Sequence, residues 1–174
     1  MARSALESLA RILDGLGIEW MLFGALAANL YRAETRLTGD TDVLLESARA
    51  ERAGLEAALR SEDWTPFRTS PDGSLLRIRH PDFGNADLVF SGTDYERVAL
   101  GRSRPETLGA GLTVRVPTRE DVVVFKLIAG RAKDLADIES ILDSGAALDD
   151  AYVEQWASEW DVRDAWRRLQ AQRR

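Results

Sequence analysis

The stretch from Phe23 to Leu45, FGALAANLYRAETRLTGDTDVLL, sets what this chain can fold into. It starts where the apolar run Trp20-Met21-Leu22-Phe23 meets Gly24 and continues as an alanine-rich segment with Leu26, Leu30 and Tyr31 at helical spacing. After a polar loop it ends in Asp40-Thr41-Asp42-Val43-Leu44-Leu45. Strand, glycine, then helix places backbone N–H groups and the positive helix end where an anion can approach. If residues 41–45 form a strand, Asp40 and Asp42 project from one face, because side chains alternate with a period of two. Two carboxylates side by side repel unless something positive sits between them. A hard divalent cation fits, since Mg²⁺ takes one or two carboxylates together with phosphate oxygens and water. A phosphate site and a metal site this close in sequence point to a metal–nucleotide complex.

The pattern apolar-Gly-small, helix, Arg-x-Thr-x-Asp-x-Asp is carried by Gly24, Arg36, Thr38, Asp40 and Asp42. It resembles the minimal nucleotidyltransferases of the polymerase β superfamily. The resemblance is closest to the AbiEii-like branch, the toxins of type IV toxin–antitoxin and abortive-infection systems. Gly24-Ala25 stands where that family has Gly-Gly or Gly-Ser, and Thr41 where it has an aliphatic residue. Alanine is still small enough for close phosphate approach, and threonine suits a strand.

That family needs a third carboxylate on a strand beside the first two, and Asp87 in Asn85-Ala86-Asp87-Leu88-Val89-Phe90 is its counterpart. The resemblance implies Asp40 and Asp42 bridging two metal ions, Mg²⁺ or Mn²⁺, about 4 Å apart, with Asp87 on the ion that activates the attacking hydroxyl. Taken alone, Asp87 is equally a strand-start aspartate in a turn. The resemblance also sets Gly24, Ala25, Arg36 and Thr38 toward the phosphates of an NTP.

A second constellation follows Pro117: Thr118, Lys126, Arg131, Lys133-Asp134 and Asp137. It resembles the toxin branch's lysine followed by Arg-x-Lys-Asp-x-x-Asp. Lys126 lies in a helix otherwise apolar at Val122, Val123, Val124, Phe125, Leu127 and Ile128, so it needs an anion or snorkels to solvent. A point charge on the triphosphate is the role implied for Lys126. For Arg131, Lys133, Asp134 and Asp137 a salt-bridge network joining helices is as good a reading as ligand contact.

Composition narrows the rest. The 174 residues suit one domain, or a compact domain with a helical appendage, and 45% hydrophobic with 30% charged side chains is an ordinary globular composition. The absence of cysteine excludes disulfides and thiolate zinc sites, and the single His80 disfavours imidazole metal centres. No window approaches a membrane span, and the N-terminus lacks a signal-peptide core, so a cytoplasmic protein is expected. A net charge of −6 argues against a broad nucleic-acid surface, although Arg163, Arg167, Arg168, Arg173 and Arg174 make the C-terminus basic.

Along the chain, helices are expected over 2–15, 25–32, 48–60, 93–100, 118–128, 134–142, 152–160 and 162–172. Strands are expected over 18–23, 41–46, 64–68, 74–79, 85–90 and 112–116, the last taken as final. The organisation is α+β, a mixed α/β core over 1–117 followed by a helical part over 118–174, and the resemblance implies a polymerase β-like core with a mixed sheet. Arg32, Arg49 and Arg52 read as solvated helix faces, and Trp156, Trp160 and Trp166 as a packing stripe.

The resemblance implies transfer of an NMP from an NTP to a hydroxyl, either the 3′ end of a tRNA or other RNA, or a protein side chain. It also implies a toxin role with a cognate antitoxin. Two rivals stand beside it: an aminoglycoside-type nucleotidyltransferase, which the acidic charge favours, and a non-catalytic member serving as a binding partner.

Overall fold

In the computed structural model, a leucine-rich helix, a tight turn and a short apolar strand open the chain. The structure describes residues 4–46 and 51–172. Residues 2, 3 and 48–50, at the predicted starts of two helices, lie outside the described residues, as do Arg173 and Arg174. The elements run α1 (Ala5–Gly15), β1 (Trp20–Leu22), α2 (Gly24–Asn29), β2 (Thr41–Leu45), α3 (Arg52–Ser61), β3 (Thr65–Thr69), β4 (Leu75–His80), β5 (Gly84–Phe90) and α4 (Asp94–Arg102). They continue as β6 (Arg104–Thr107), a 3-10 turn at Gly109–Gly111, β7 (Thr113–Val116), α5 (Arg119–Ala129), α6 (Ala132–Asp143), α7 (Asp150–Glu159) and α8 (Arg163–Gln172).

The chain divides into two compact units. The first comprises residues up to Leu26 and Leu37–Pro117; the second comprises Ala27–Arg36 and the chain from Thr118 onward. The segment 27–36 therefore groups with the C-terminal helices.

The first unit is built on a five-stranded mixed sheet of order β1-β2-β5-β4-β3. Only β2 and β5 are parallel; the other neighbours are antiparallel. Alternation explains β5: Ala86, Leu88 and Phe90 are buried while Asn85, Asp87 and Val89 remain half-buried. In β2 every residue is buried except Asp42, so one strand of a central pair carries a single charged side chain, and it is the only one of the strand not buried. Helix α1 starts on a capping box, in which Ser4 Oγ accepts from Glu7 N–H and Glu7 Oε2 accepts from Ser4 N–H. Its Leu9 and Leu13 are fully buried, each such side chain contributing about 1.5–3 kcal/mol by leaving water. Trp64 is fully buried too, its indole N–H donating to Ser8 Oγ at 3.0 Å. His80 is buried in the same cluster, stacked on Phe83 with Nδ1 accepting from Asp82 N–H, which is a structural role.

The expectation that 112–116 is the final strand holds, as β7, but no strand was expected between 90 and 112. An additional strand, β6, pairs antiparallel with β7 in a two-stranded ribbon. Its sequence Arg-Pro-Glu-Thr is exposed throughout, so no apolar alternation announces it. Helix α2 ends at Asn29 rather than near Arg32, and Leu30 is left exposed.

In the second unit, Thr118 caps α5 by accepting from Asp121 N–H, and Gly130 ends it with a φ of 62°. Asp121 is fully buried and accepts from Tyr152 O–H at 2.6 Å and from Thr118 O–H at 2.6 Å. Of the predicted tryptophan stripe, Trp166 is fully buried and Trp160 is exposed. Among the described residues no helix is long and apolar enough to cross a membrane.

Candidate active site

The turn between β1 and α2 is fixed by two demands that meet at one residue. Gly24 has a φ of +61°, a conformation that L side chains rarely adopt. A Cβ there would stand 2.0 Å from Asp42 Oδ2 and 2.7 Å from Asp42 Cγ. The chain needs glycine because the Asp42 carboxylate occupies that space. Phe23 N–H donates to Asp42 C=O at 2.9 Å and ties the turn to β2.

Register then sets the chemistry. The parallel pairing of β2 with β5 aligns Asp42 with Asp87, so both carboxylates leave the same face on strands about 4.8 Å apart. Asp40 lies one residue before β2, exposed, and Thr38 O–H donates weakly to its carbonyl at 3.4 Å. Among the described residues no group of three or more His, Cys, Asp or Glu side chains is arranged to hold a metal ion. Two hard carboxylates on one face nevertheless suit Mg²⁺ or Mn²⁺, provided substrate phosphates complete the coordination. The donor set fits a metal that arrives with a nucleotide.

Arg77, which the sequence reading passed over, belongs to this face. The β4–β5 hairpin pairs Arg77 with Asp87, and Arg77 Nε and Nη2 both donate to Asp87 Oδ2, at 3.1 and 2.9 Å. The signal was present: alternation in Leu75-Leu76-Arg77-Ile78-Arg79 separates the arginines from the apolar residues, and the turn at Pro81–Gly84 counts Arg77 back to Asp87.

The remaining predicted residues gather in the second unit. Lys126 Nζ donates to Asp134 Oδ1 at 2.9 Å and to Asp137 Oδ2 at 2.8 Å, and all three side chains are at most 8% exposed. Arg36 Nη2 donates to the same Asp137 oxygen at 3.1 Å, while its backbone is held by Asn29 through two hydrogen bonds. Arg131 pairs with Asp134, and Arg32 with Asp137 Oδ1. Arg32, read from sequence as a solvated helix face, is only 12% exposed. The loop after α2 accounts for that, since Ala33 N–H bonds Ser140 C=O and lays Arg32 against α6. Arg52 is likewise engaged, donating to Glu56, Gly73 C=O and Thr69 Oγ1. Lys133 is exposed.

Burial pushes the Asp134 carboxyl up, but hydrogen bonds and charge from Arg131 and Lys126 outweigh it and hold it below the ordinary carboxylate value. Asp137 is lowered in the same way, burial being outweighed by Lys126 and Arg36. Four cations thus meet two carboxylates in one network.

Solved structures share this architecture over nearly the whole chain. The antibiotic-resistance factor ANT(2'')-Ia in solution superposes with a TM-score of 0.64 at 16% identity, over 97% of this chain and 96% of that one. The chain has the nucleotidyltransferase fold. The crystal structure of ANT(2'')-Ia with adenylyl-2''-tobramycin gives a TM-score of 0.61 at 17% identity, over 93% of this chain and 94% of that one. The lincosamide antibiotic adenylyltransferase LnuA, lincomycin-bound, gives 0.52 at 14% identity, over 80% of this chain and 98% of that one. No protein-family profile matches the sequence, and no curated protein matches it by sequence.

Proposed function

We propose that this chain is a nucleotidyltransferase that moves an NMP from an NTP to a hydroxyl acceptor and releases pyrophosphate. The observation that carries the reading is the register pairing of Asp42 with Asp87 on one face of the sheet, within a nucleotidyltransferase fold. Asp42 and the exposed Asp40 would hold the Mg²⁺ of the incoming nucleotide, with Mn²⁺ as its substitute. When bound, the ion would supply positive charge against the triphosphate and the departing pyrophosphate. Asp87 would accept the proton of the acceptor hydroxyl as that oxygen bonds the α-phosphorus and the bond to the pyrophosphate oxygen breaks. Gly24, Ala25 and Thr38 would border the phosphates. Lys126 and Arg36 would act mainly through Asp137, as anchors of the helical unit.

For the acceptor we favour a small hydroxylated molecule. Two structural neighbours are named for an adenylylated aminoglycoside and a bound lincosamide, and a net charge of −6 attracts a cationic acceptor. The toxin reading, with a tRNA or protein acceptor and a cognate antitoxin, rests on the Arg131-x-Lys133-Asp134-x-x-Asp137 spacing. Here that spacing has a structural use in the buried network, which lessens its weight as a toxin signature. Either reading is for a cytoplasmic enzyme.

Isothermal titration with each of the four NTPs plus Mg²⁺, beside an Asp40→Ala/Asp42→Ala variant, tests the reading. Metal-dependent binding in the wild type and none in the variant is expected. Labelled α-phosphate transfer to aminoglycosides, lincosamides and tRNA then separates the acceptors. Absence of binding to all four NTPs would overturn nucleotidyl transfer and leave a binding module.

A further inference from the structure

We propose that Phe67, Arg79 and Asn85 form the acceptor subsite, which takes an uncharged hydroxylated ring, such as a sugar, and turns one of its hydroxyls toward Asp87. The proposal rests on the nucleotidyl-transfer reading of the same face and lies wholly within the first unit.

Sheet order sets the side from which an acceptor can come. Gly24 follows β1, which flanks β2 on the side away from β5. With the phosphates bordered there, in-line displacement brings the acceptor oxygen from the opposite side, over β5, β4 and β3. Charge on this face is divided in the same sense. Asp40, Asp42 and Asp87 belong to β2, the residue before it, and β5, whereas Arg77, Arg79 and Arg68 belong to β4 and β3. A nucleotide carrying a divalent ion is drawn to the carboxylates. An ammonium group set over β4 would instead meet Arg79, which no carboxylate pairs among the described residues. Any charged amine of the acceptor therefore lies elsewhere.

Three side chains over β3, β4 and β5 suit a ring. The β3–β4 register shifts between Pro66 and Arg68, and this bulge leaves Phe67 without a cross-strand partner. Phe67 is 48% exposed, and the Arg79 guanidinium lies over its ring, 5.0 Å from the centroid. An exposed aromatic ring held this way offers apolar surface to the C–H side of a sugar-like ring. Arg79 pairs in register with Asn85, and its Nε donates to Asn85 Oδ1 at 3.1 Å. An N–H can meet only the oxygen of an amide, so Asn85 Nδ2 is turned away from Arg79. Among the described residues Asn85 Nδ2 and both Arg79 Nη groups donate no hydrogen bond, which leaves them for hydroxyl oxygens. Asn85 stands two residues before Asp87 on the same face of β5, about 7 Å along the strand, a separation that one six-membered ring and its substituents can bridge. The end of that bridge is Asp87 Oδ1, since both bonds from Arg77 fall on Oδ2.

Transfer from an α-phosphate-labelled NTP with Mg²⁺ would be measured to methyl glucoside, lincomycin, tobramycin and tRNA, with NTP affinity followed separately by calorimetry. Label is expected on at least one of the three ring compounds. On that compound Phe67→Ala and Asn85→Ala should each raise KM about tenfold, the scale of one lost stacking or hydrogen-bonding contact, with a smaller fall in kcat. Phe67→Tyr should restore KM, and NTP affinity should be the same in all variants. A patch that is merely structural would lower the melting temperature and leave KM alone. Unchanged KM in Asn85→Ala and in Phe67→Ala overturns the proposal, and Asn85→Ala decides by itself should Phe67→Ala not fold. Label on tRNA alone, or NTP binding without transfer to any ring compound, overturns it while the nucleotide site stands. Failure to bind any NTP overturns both.

Discussion

A single missing Cβ decides how the turn after β1 can be built. At Gly24 any L side chain meets a left-handed φ of +61° and, 2.0 Å away, the Asp42 carboxylate. Gly24→Ala should cost about 1–2 kcal/mol from backbone strain alone, before the clash turns Asp42 aside. The expected result is a lowered melting temperature together with loss of Mg²⁺-dependent NTP binding by calorimetry. Lowered stability with binding intact would mean that the position of Asp42 is not what the glycine protects. From sequence the glycine suggested phosphate approach, and the residue identity was legible while its neighbour was not. Which atom fills the space above a glycine depends on strand register, and the i, i+2 spacing of Asp40 and Asp42 carries no information about that. Asp87 was legible as a polar residue entering an apolar strand, but Arg77 needed the length of the turn at Pro81–Gly84 to be used as a ruler.

Between elements, a buried network of ion pairs joins α5 to α6. Lys126 is buried against Asp134 and Asp137, and removing one partner of such a cluster leaves charge without compensation. Lys126→Ala should destabilise the chain by about 3 kcal/mol, the low end for a broken buried pair, because Arg32, Arg36 and Arg131 remain. That corresponds to roughly 6–12 °C in melting temperature for a chain of this size. The pH dependence has a fixed sign. Both aspartates have folded pKa values below the ordinary carboxylate value, so their stabilisation is complete above the unfolded value, near 4. It is lost as pH falls further through the depressed folded values. Thermal melts between about pH 5 and pH 2 should show this acid limb in wild type and a flatter one in Lys126→Ala. Equal slopes would mean that the network does not govern acid stability. The sequence offered two readings of this run, ligand contact and ion network. It could not choose, because i, i+3 spacing on a helix serves both and the choice rests on what the preceding loop, through Arg32 and Arg36, brings to Asp137.

At the scale of the whole molecule, chain connectivity and compact units do not coincide. The sequence changes character at Pro117, from alternating strands to helices, and a boundary there is natural to read. Yet Ala27–Arg36 groups with the helices that begin at Thr118, so the chain leaves the first unit after Leu26 and returns at Leu37. Within the second unit this segment buries Ala27, Ala28 and Tyr31, donates Ala33 N–H to Ser140 C=O, and sends Arg32 and Arg36 to Asp137. Arg119 lies over the Tyr31 ring, 5.4 Å from its centroid. A fragment ending at Pro117 would keep all seven strands but strip every one of these contacts from residues 27–36. Those residues separate Gly24 from Asp42 in sequence, so freeing them loosens the turn that seats the carboxylate. The fragment should therefore lack a cooperative thermal transition by circular dichroism and should not bind an NTP with Mg²⁺. A fragment that melts cooperatively near the full chain's temperature and still binds nucleotide would show the sheet unit to be self-sufficient. In that case the excursion through 27–36 would serve only the helical unit.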